Sequence, residues 1–268
     1  MNSKITNQLK TFALWIADRS GSMLCLEKTH IRGYNKFINE QKNNNNGEFY
    51  LSTIRFDNSV EFLHKMEPID TVPDADDYTF QSRGSTALYD SLGIGLKYIL
   101  NLHSINNDKN ARYMVMVMTD GHENCSKEFT KKSINELITE CNKKDICVKF
   151  MGANQDAEKT GRLLGIEKEN CMTFTPTPKG LSYLMRTVSN SVTRCRSGVC
   201  SDFTEIEKSM IEMEKMEENK SDKILDNISK LSEPPTYYKN KCKKKSINKY
   251  INKSINLNVI KKLSFLML

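Results

Sequence analysis

The sequence predicts an α/β fold: a Rossmann-like, doubly wound, mostly parallel sheet of six strands, with one antiparallel edge strand and helices on both faces. Short apolar segments alternate with amphipathic stretches over the first 200 residues. Several of these segments are apolar on both faces, which is typical of strands buried between two layers of helices. Two of them are separated only by Asp57 and Asn58. That short connection predicts a hairpin, and hence the antiparallel edge strand.

Each strand is predicted from a run of apolar and β-branched residues between polar stretches. The six runs are 12–17 (FALWIA), 48–56 (EFYLSTIRF), 59–64 (SVEFLH), 112–119 (RYMVMVMT), 147–153 (CVKFMGA) and 171–175 (CMTFT).

Three helices are predicted from apolar residues that recur at spacings of three and four, the pattern of a helix with one buried side. These residues are Ile31, Tyr34, Phe37 and Ile38 in the first helix, Leu88, Leu92, Leu96 and Ile99 in the second, and Leu181, Leu184, Val188 and Val192 in the last. The asparagine-rich tract at 43–47 predicts a surface loop between the first helix and the second strand.

The composition changes after about residue 200, which predicts three segments. They are a folded α/β domain over 1–200, a charged helical extension over 201–232 and a basic tail over 233–268. Apolar residues in the extension follow a 3-4-3 spacing that is too short for a coiled coil, so we expect a solvated helix that packs one side on the domain. The residues with this spacing are Phe203, Ile206, Met210 and Met213.

The positive charge of the chain is concentrated in the tail. The net charge is +7, nine lysines lie between 239 and 262, and no acidic residue follows Glu233; removing those nine charges leaves −2 for the rest. The tail is a mixture of Lys, Asn and Ile, which predicts a disordered and solvated segment. Nucleic-acid binding through these lysines is an alternative function.

Cysteine usage and hydropathy predict a cytoplasmic protein. The eight cysteines include no CxxC pair, which gives no support to a zinc or disulfide-exchange motif and suits a reducing compartment. The start of the chain is polar, and the first apolar run stops at Asp18. That run is too short for a signal peptide, and no later segment approaches the length of a membrane span. We therefore expect neither secretion nor a membrane partner.

Polar residues follow two of the predicted strands, where each strand ends. Asp18 ends the first strand and begins the alternation Asp18, Ser20, Ser22; Asp120 ends the fourth strand; and the segment 83–90 (RGSTALYD) leads into a helix. Ligands of such sheets gather beyond the carboxyl ends of the strands, so we expect the two carboxylates on one rim. A loop that curls over an ion would direct alternate side chains inward. Carboxylate and hydroxyl oxygens suit Mg²⁺ or Mn²⁺ rather than zinc or copper.

The motifs DRSGSM, GSTALYDSLG and MTDGHEN, in this order, resemble the von Willebrand factor A (vWA) domain and its metal-ion-dependent adhesion site (MIDAS). The resemblance is greatest to intracellular relatives from bacteria, phages and large viruses, and it covers roughly residues 10–198. It implies that Mg²⁺ or Mn²⁺ is bound and that a partner protein completes its coordination with an Asp or Glu carboxylate. The ligands that it implies are Asp18, Ser20, Ser22, Thr86 and Asp120.

Some neighbouring residues have alternative interpretations. Ser85 could replace Thr86 as a ligand, but the position directly before ALYD favours Thr86 by resemblance. Asp90 and Ser91 are expected to support the loop rather than contact the ion. His122 and Glu123 suggest catalysis, but no HExxH motif or nucleophile accompanies them, so a loop that influences partner choice is favoured.

Three functions are therefore compatible with the sequence. The first is a non-enzymatic, metal-dependent protein-binding module. The second is a hydrolase or phosphoryl-transfer enzyme that uses the same carboxylates and ion. The third is nucleic-acid binding by the tail. The sequence has no P-loop, no GxSxG motif and no lysine at the end of the fifth strand, which favours the first function over the second.

Overall fold

The computed structural model describes residues 9–106, 108–153, 156–199, 201–211 and 213. Within these residues, six strands and five α-helices up to Arg196 follow in the order expected of an α/β domain. The strands are β1 (Lys10–Asp18), β2 (Glu48–Phe56), β3 (Val60–Pro68), β4 (Ala111–Thr119), β5 (Cys147–Ala153) and β6 (Cys171–Phe174). The helices are α1 (Glu27–Lys42), α2 (Leu88–Ile105), α3 (Lys131–Lys143), α4 (Ala157–Leu164) and α5 (Pro178–Arg196), and 3-10 turns occupy Gly21–Cys25, Ile69–Thr71 and Lys168–Asn170.

The sheet has the strand order β3-β2-β1-β4-β5-β6. Strand β1 pairs in parallel with both β2 and β4, and only the edge strand β3 is antiparallel to its neighbour. The predicted six-stranded, mostly parallel sheet with one antiparallel edge strand is therefore confirmed. Because β1 and β4 are adjacent and parallel, their carboxyl ends meet at the same rim of the sheet.

Two hydrophobic layers cover the sheet, one on each face. Alternate residues of β1 enter different layers, with Trp15 packing on the side of α1 and α5 and Leu14 on the side of α2 and α3. The apolar residues that predicted the helices are all buried. The helices therefore flank both faces of the sheet, as the apolar strands predicted.

Strand β3 extends further than the predicted run 59–64, because it reaches Pro68. Its pairing with β2 is irregular, with register shifts around Thr53. Met66 has a φ of 49° and its N–H donates to the Ser52 hydroxyl at 2.9 Å. Such an irregularity lets a strand continue past residues that break the alternation, so the alternation of side chains alone does not reveal where β3 ends.

The beginning of the extension packs on the domain differently from the prediction. Residues 205–211 are helical, and Phe203 and Ile211 are buried. Ile206, Met210 and Met213 are exposed by 75%, 44% and 64%, so the expected packing of these three residues is wrong. The orientation is set by Phe203, which lies under the Lys149 ammonium, and by an ion pair between Arg194 and Glu207.

All described residues belong to the first of two compact units, Met1–Met216. The predicted basic tail, and most of the predicted extension, lie outside the described residues, so the proposed segment boundaries remain predictions. Within the described part of the chain, no helix combines the length and the apolar character that crossing a membrane requires.

Candidate metal centre

The first part of the candidate site is a contact between the ends of two central strands. The register of β1 with β4 ends at Ala17 opposite Met118, so Asp18 and Thr119 come next to each other. The Thr119 hydroxyl donates to Asp18 Oδ2 at 2.5 Å, and the Ser20 amide donates to Asp18 Oδ1 at 2.6 Å. Asp18 is fully buried. Both of its oxygens are therefore held in place from the rim of the sheet.

A chain of hydroxyl groups joins this strand end to Asp120. Ser20 Oγ and Ser22 Oγ are 3.1 Å apart, and Ser22 Oγ donates to Asp120 Oδ1 at 2.5 Å. Ser20 and Asp120 are buried, whereas Ser22 is exposed. The alternating side chains of the loop after β1 thus do point to one place, and that place opens to solvent at Ser22.

Thr86 reaches the same place from the loop before α2. That loop runs beside the loop after β1, because the Gly21 amide donates to the Gly84 carbonyl at 3.1 Å. A Cβ atom on Gly121 would lie 2.8 Å from Thr86 Oγ1 and 3.6 Å from Ser22 Oγ. A side chain at position 121 would therefore crowd both hydroxyls. Because residue 121 is glycine, the space between the two hydroxyls stays open. Ser85 is exposed and Thr86 is buried, which favours Thr86 over its neighbour.

The electrostatics of the site leave two buried carboxyl groups close together. Burial raises the pKa of Asp18 to about 6, although hydrogen bonds from Thr119 and Ser20 act in the opposite direction; the charge of Asp120 raises it further. Burial also raises the pKa of Asp120, against the hydrogen bond from Ser22. A cation between these groups would favour their ionised forms.

The donor set fits a hard divalent cation. It consists of two carboxylates and three hydroxyls, all of them oxygen donors, which suits Mg²⁺ or Mn²⁺. Among the described residues, no group of three or more His, Cys, Asp and Glu side chains could hold a metal ion. A site here therefore depends on the hydroxyl groups of the serines and the threonine. The roles of the five residues as ligands remain predictions.

Two acidic residues near the site stabilise its loops. Asp90 accepts hydrogen bonds from the amides of residues 127–129, in agreement with its expected supporting role. Glu123 accepts from the amides of Tyr89, Cys125 and Ser126. Its carboxylate thus fixes the loop after β4, and the influence of this loop on partner choice remains a prediction. His122 is exposed beside Asp120, and its influence on partner choice remains a prediction.

Sequence reasoning did not find Thr119, Gly121 or the ion pairs beside the site. Thr119 orients Asp18, and its hydroxyl also accepts from the Gly121 amide at 3.1 Å. A polar residue directly before Asp120, at the end of an otherwise apolar strand, was the available signal. The ion pair of Arg19 with Glu61 joins residues that are 42 positions apart, and no local pattern indicates it.

Solved structures with a similar fold include adhesion and matrix proteins. The pilus adhesin SpaC from Lactobacillus rhamnosus GG has a TM-score of 0.55 at 12% identity, and the match covers 70% of this chain and 30% of SpaC. Proximal thread matrix protein 1 from the mussel byssus has a TM-score of 0.51 at 14% identity, covering 70% and 47%. A von Willebrand factor type A structure from Catenulispora acidiphila has a TM-score of 0.48 at 12% identity, covering 71% and 43%.

The chain thus spans less than half the length of each of these three structures. No protein-family model and no curated protein sequence matches it significantly. At these identities the similarity establishes the fold alone. Together with the strand order, the two matches with TM-scores above 0.5 establish a Rossmann-like α/β fold.

Proposed function

We propose that this chain is a non-enzymatic, metal-dependent protein-binding module with a MIDAS-type site. Mg²⁺ or Mn²⁺ would be held by Asp18, Ser20, Ser22, Thr86 and Asp120. The observation that carries the proposal is the convergence of two strand-end carboxylates and three hydroxyls from three loops onto one solvent-accessible place.

When bound, the ion supplies a positively charged coordination position for a carboxylate oxygen of an Asp or Glu in the partner. Two protein carboxylates balance a divalent charge without exceeding it, so attraction for one more anion remains. The residues of this chain provide the orientation. Thr119 and the Ser20 amide hold Asp18, and the contact of Gly21 with Gly84 aligns the loops that carry Ser22 and Thr86.

The neighbouring side chains support binding rather than catalysis. Glu123, the acidic group that follows the site in sequence, uses its carboxylate oxygens to accept hydrogen bonds from backbone amides and from the Ser126 hydroxyl. These contacts favour a loop-fixing role for Glu123 over the role of a general base. His122 is exposed on the same loop, a position suited to contact with a partner surface.

The first test is Mn²⁺ binding, followed through the loss of the EPR signal of the free ion. We expect one site in the wild-type chain and none in Asp18→Ala or Asp120→Ala, with circular dichroism showing that both variants stay folded. A folded wild-type chain that binds no Mn²⁺, or variants that bind it unchanged, would contradict the proposal.

The second test concerns partner binding. Proteins captured by the wild-type chain in Mn²⁺ buffer should be released by EDTA and should not be retained by Asp120→Ala. If neither EDTA nor Asp120→Ala reduced the capture of these proteins, binding through the metal ion would be contradicted. Turnover of a phosphoester panel that requires Mg²⁺ and is lost in Asp18→Ala would instead favour the enzymatic alternative.

A further inference from the structure

A cluster of ion pairs lies beside the candidate metal centre. Its members are three arginines and two acids: Arg19, Arg55, Arg83, Asp57 and Glu61. Two of its arginines are part of the loops of the site. Arg19 directly follows Asp18 in sequence, and the Arg83 amide donates to the Arg19 carbonyl at 2.8 Å. The cluster is thus continuous with the rim that carries the proposed ligands.

The cluster also contacts the loop of Thr86. The Ala87 amide donates to the Asp57 carbonyl at 2.8 Å. Asp57 Oδ2 accepts from Arg83 Nε at 2.7 Å and lies 3.1 Å from Arg19 Nε. Asp57 therefore connects the Arg83 side chain to the loop segment that carries Thr86.

The charges of the cluster do not cancel. Burial acts to raise the pKa of Asp57, but the hydrogen bonds from Arg83 and Ser59 hold it below its usual range. Glu61 behaves in the same way, with Arg55 and Arg19 lowering its pKa against burial. Both acids are therefore ionised at neutral pH, and three guanidinium groups face two carboxylates. One positive charge remains.

This excess charge reaches solvent mainly at Arg83. The exposed side-chain fractions are 2% for Arg19, 22% for Arg55 and 57% for Arg83. Arg83 donates to Asp57 through Nε and to Glu61 through Nη2. A guanidinium carries five N–H donors in a planar fork, so Arg83 retains donors for a further carboxylate.

We propose that Arg83 is a specificity-determining residue that binds a second carboxylate of the partner, while the first carboxylate binds the metal ion. The inference rests on the proposed function of the site. The expected partner surface carries two acidic groups. The distance between their carboxylates would match the distance from the ion to the Arg83 guanidinium. A charge-assisted pair with Arg at this rim adds affinity only for ligands that carry both groups.

The test uses small carboxylates as probes on the full chain loaded with Mn²⁺. Water-proton relaxation reports displacement of water from the ion by acetate or by linear dicarboxylates from glutarate to suberate. We expect one chain length to bind about tenfold more tightly than acetate, because a charge-assisted hydrogen bond to Arg83 adds to the contact with the ion. Arg83→Gln should lower the affinity for that dicarboxylate to about that of acetate, with a much smaller effect on the binding of acetate itself.

Matched variants separate recognition from a structural role. Arg32→Gln changes an exposed arginine on α1 and should preserve the preference for the dicarboxylate. Arg83→Lys keeps the charge without the planar fork and should retain part of the preference. An Arg83→Gln variant that loses acetate and dicarboxylate binding equally would overturn the inference in favour of a purely structural role.

The remaining outcomes distinguish the two proposals. If acetate binds but no dicarboxylate is preferred, or if the preference persists in Arg83→Gln, the role of Arg83 is refuted and the proposed function stands. If Mn²⁺ binds and neither acetate nor any dicarboxylate displaces water from it, carboxylate recognition by the site fails, and the inference fails with it.

Discussion

Asp18 illustrates how a single buried carboxyl group is organised at this site. It is fully buried at the end of β1, and its two oxygens accept hydrogen bonds from the Ser20 amide and the Thr119 hydroxyl. Groups that hydrogen-bond a metal ligand fix its orientation and tune its basicity. If Asp18 binds the proposed ion, Thr119 would act on that ion through Asp18, although Thr119 was not among the predicted ligands.

Removing the Thr119 hydroxyl should weaken metal binding without unfolding the chain. Thr119→Val keeps the volume of the side chain but takes away the donor to Asp18 Oδ2. We expect the Mn²⁺ affinity to fall by about 10–100-fold, the usual effect of losing a hydrogen bond to a metal ligand. Titration of Mn²⁺ by EPR measures this change directly.

Thr11→Val provides the matched control. Thr11 is also buried in the central sheet, but its hydroxyl has no hydrogen-bond partner within the described structure. Its replacement should leave the Mn²⁺ affinity unchanged and should not destabilise the chain, because no hydrogen bond is lost. Equal Mn²⁺ affinity in Thr119→Val and in the wild type would show that Thr119 does not orient a ligand.

At the level of elements, strand β5 fixes the start of the C-terminal extension through a buried lysine. Lys149 Nζ donates to Asn170 Oδ1 at 2.8 Å and to the Ser201 carbonyl at 2.7 Å, and it lies 4.2 Å from the centre of the Phe203 ring. Burial lowers the pKa of Lys149. The Ser191 hydroxyl also donates to the Ser201 carbonyl. The extension is thus attached to the sheet by polar contacts in an otherwise apolar layer.

Lys149→Met should loosen this attachment. Methionine fills a similar volume but leaves Asn170 without its ammonium donor and the Ser201 carbonyl with one donor fewer. The Ser201 carbonyl keeps the Ser191 donor and Asn170 Oδ1 keeps the Cys147 thiol, so what is lost is two hydrogen bonds from a charged group. Because such bonds contribute about 1.5–3 kcal/mol, we expect a loss of that order in the free energy of unfolding. Hydrogen exchange should become faster at the Phe203 amide, which donates to the Glu169 carbonyl at 3.0 Å.

Lys132→Met serves as the control for this prediction. The Lys132 side chain lies on α3 and is 88% exposed, so its replacement should change the free energy of unfolding by less than about 0.5 kcal/mol. Unchanged exchange at Phe203 in Lys149→Met would mean that the extension is held by Phe203 packing and the Arg194 ion pair instead.

For the whole molecule, the sequence predicted the arrangement of strands and helices better than the contacts between side chains that are distant in sequence. Strands that are apolar on both faces require two covering layers, and the connection at Asp57 and Asn58 requires a hairpin, so the sheet followed from local patterns. Asp18 and Asp120 came together because adjacent parallel strands end at one rim. In contrast, the exposure of Ile206 accompanies the anchoring of Phe203 under Lys149, and Arg19 pairs with Glu61 only because the sheet brings β3 beside the site. Such contacts join distant segments and leave no periodic signal.

The whole chain should gain stability from the ion if the rim binds it as proposed. A ligand that binds only the folded state stabilises it by RT ln(1 + [L]/Kd), which is about 2.7 kcal/mol at one hundred times Kd. For a domain of this size, that corresponds to a rise in Tm of roughly 5–10 °C. Differential scanning calorimetry in Mn²⁺ and in EDTA, at matched ionic strength, measures the difference in Tm.

Asp120→Asn should abolish this difference in Tm, because the variant keeps the shape of the side chain but loses its charge. The same rise in Asp120→Asn and in the wild type would place Mn²⁺ binding elsewhere on the molecule.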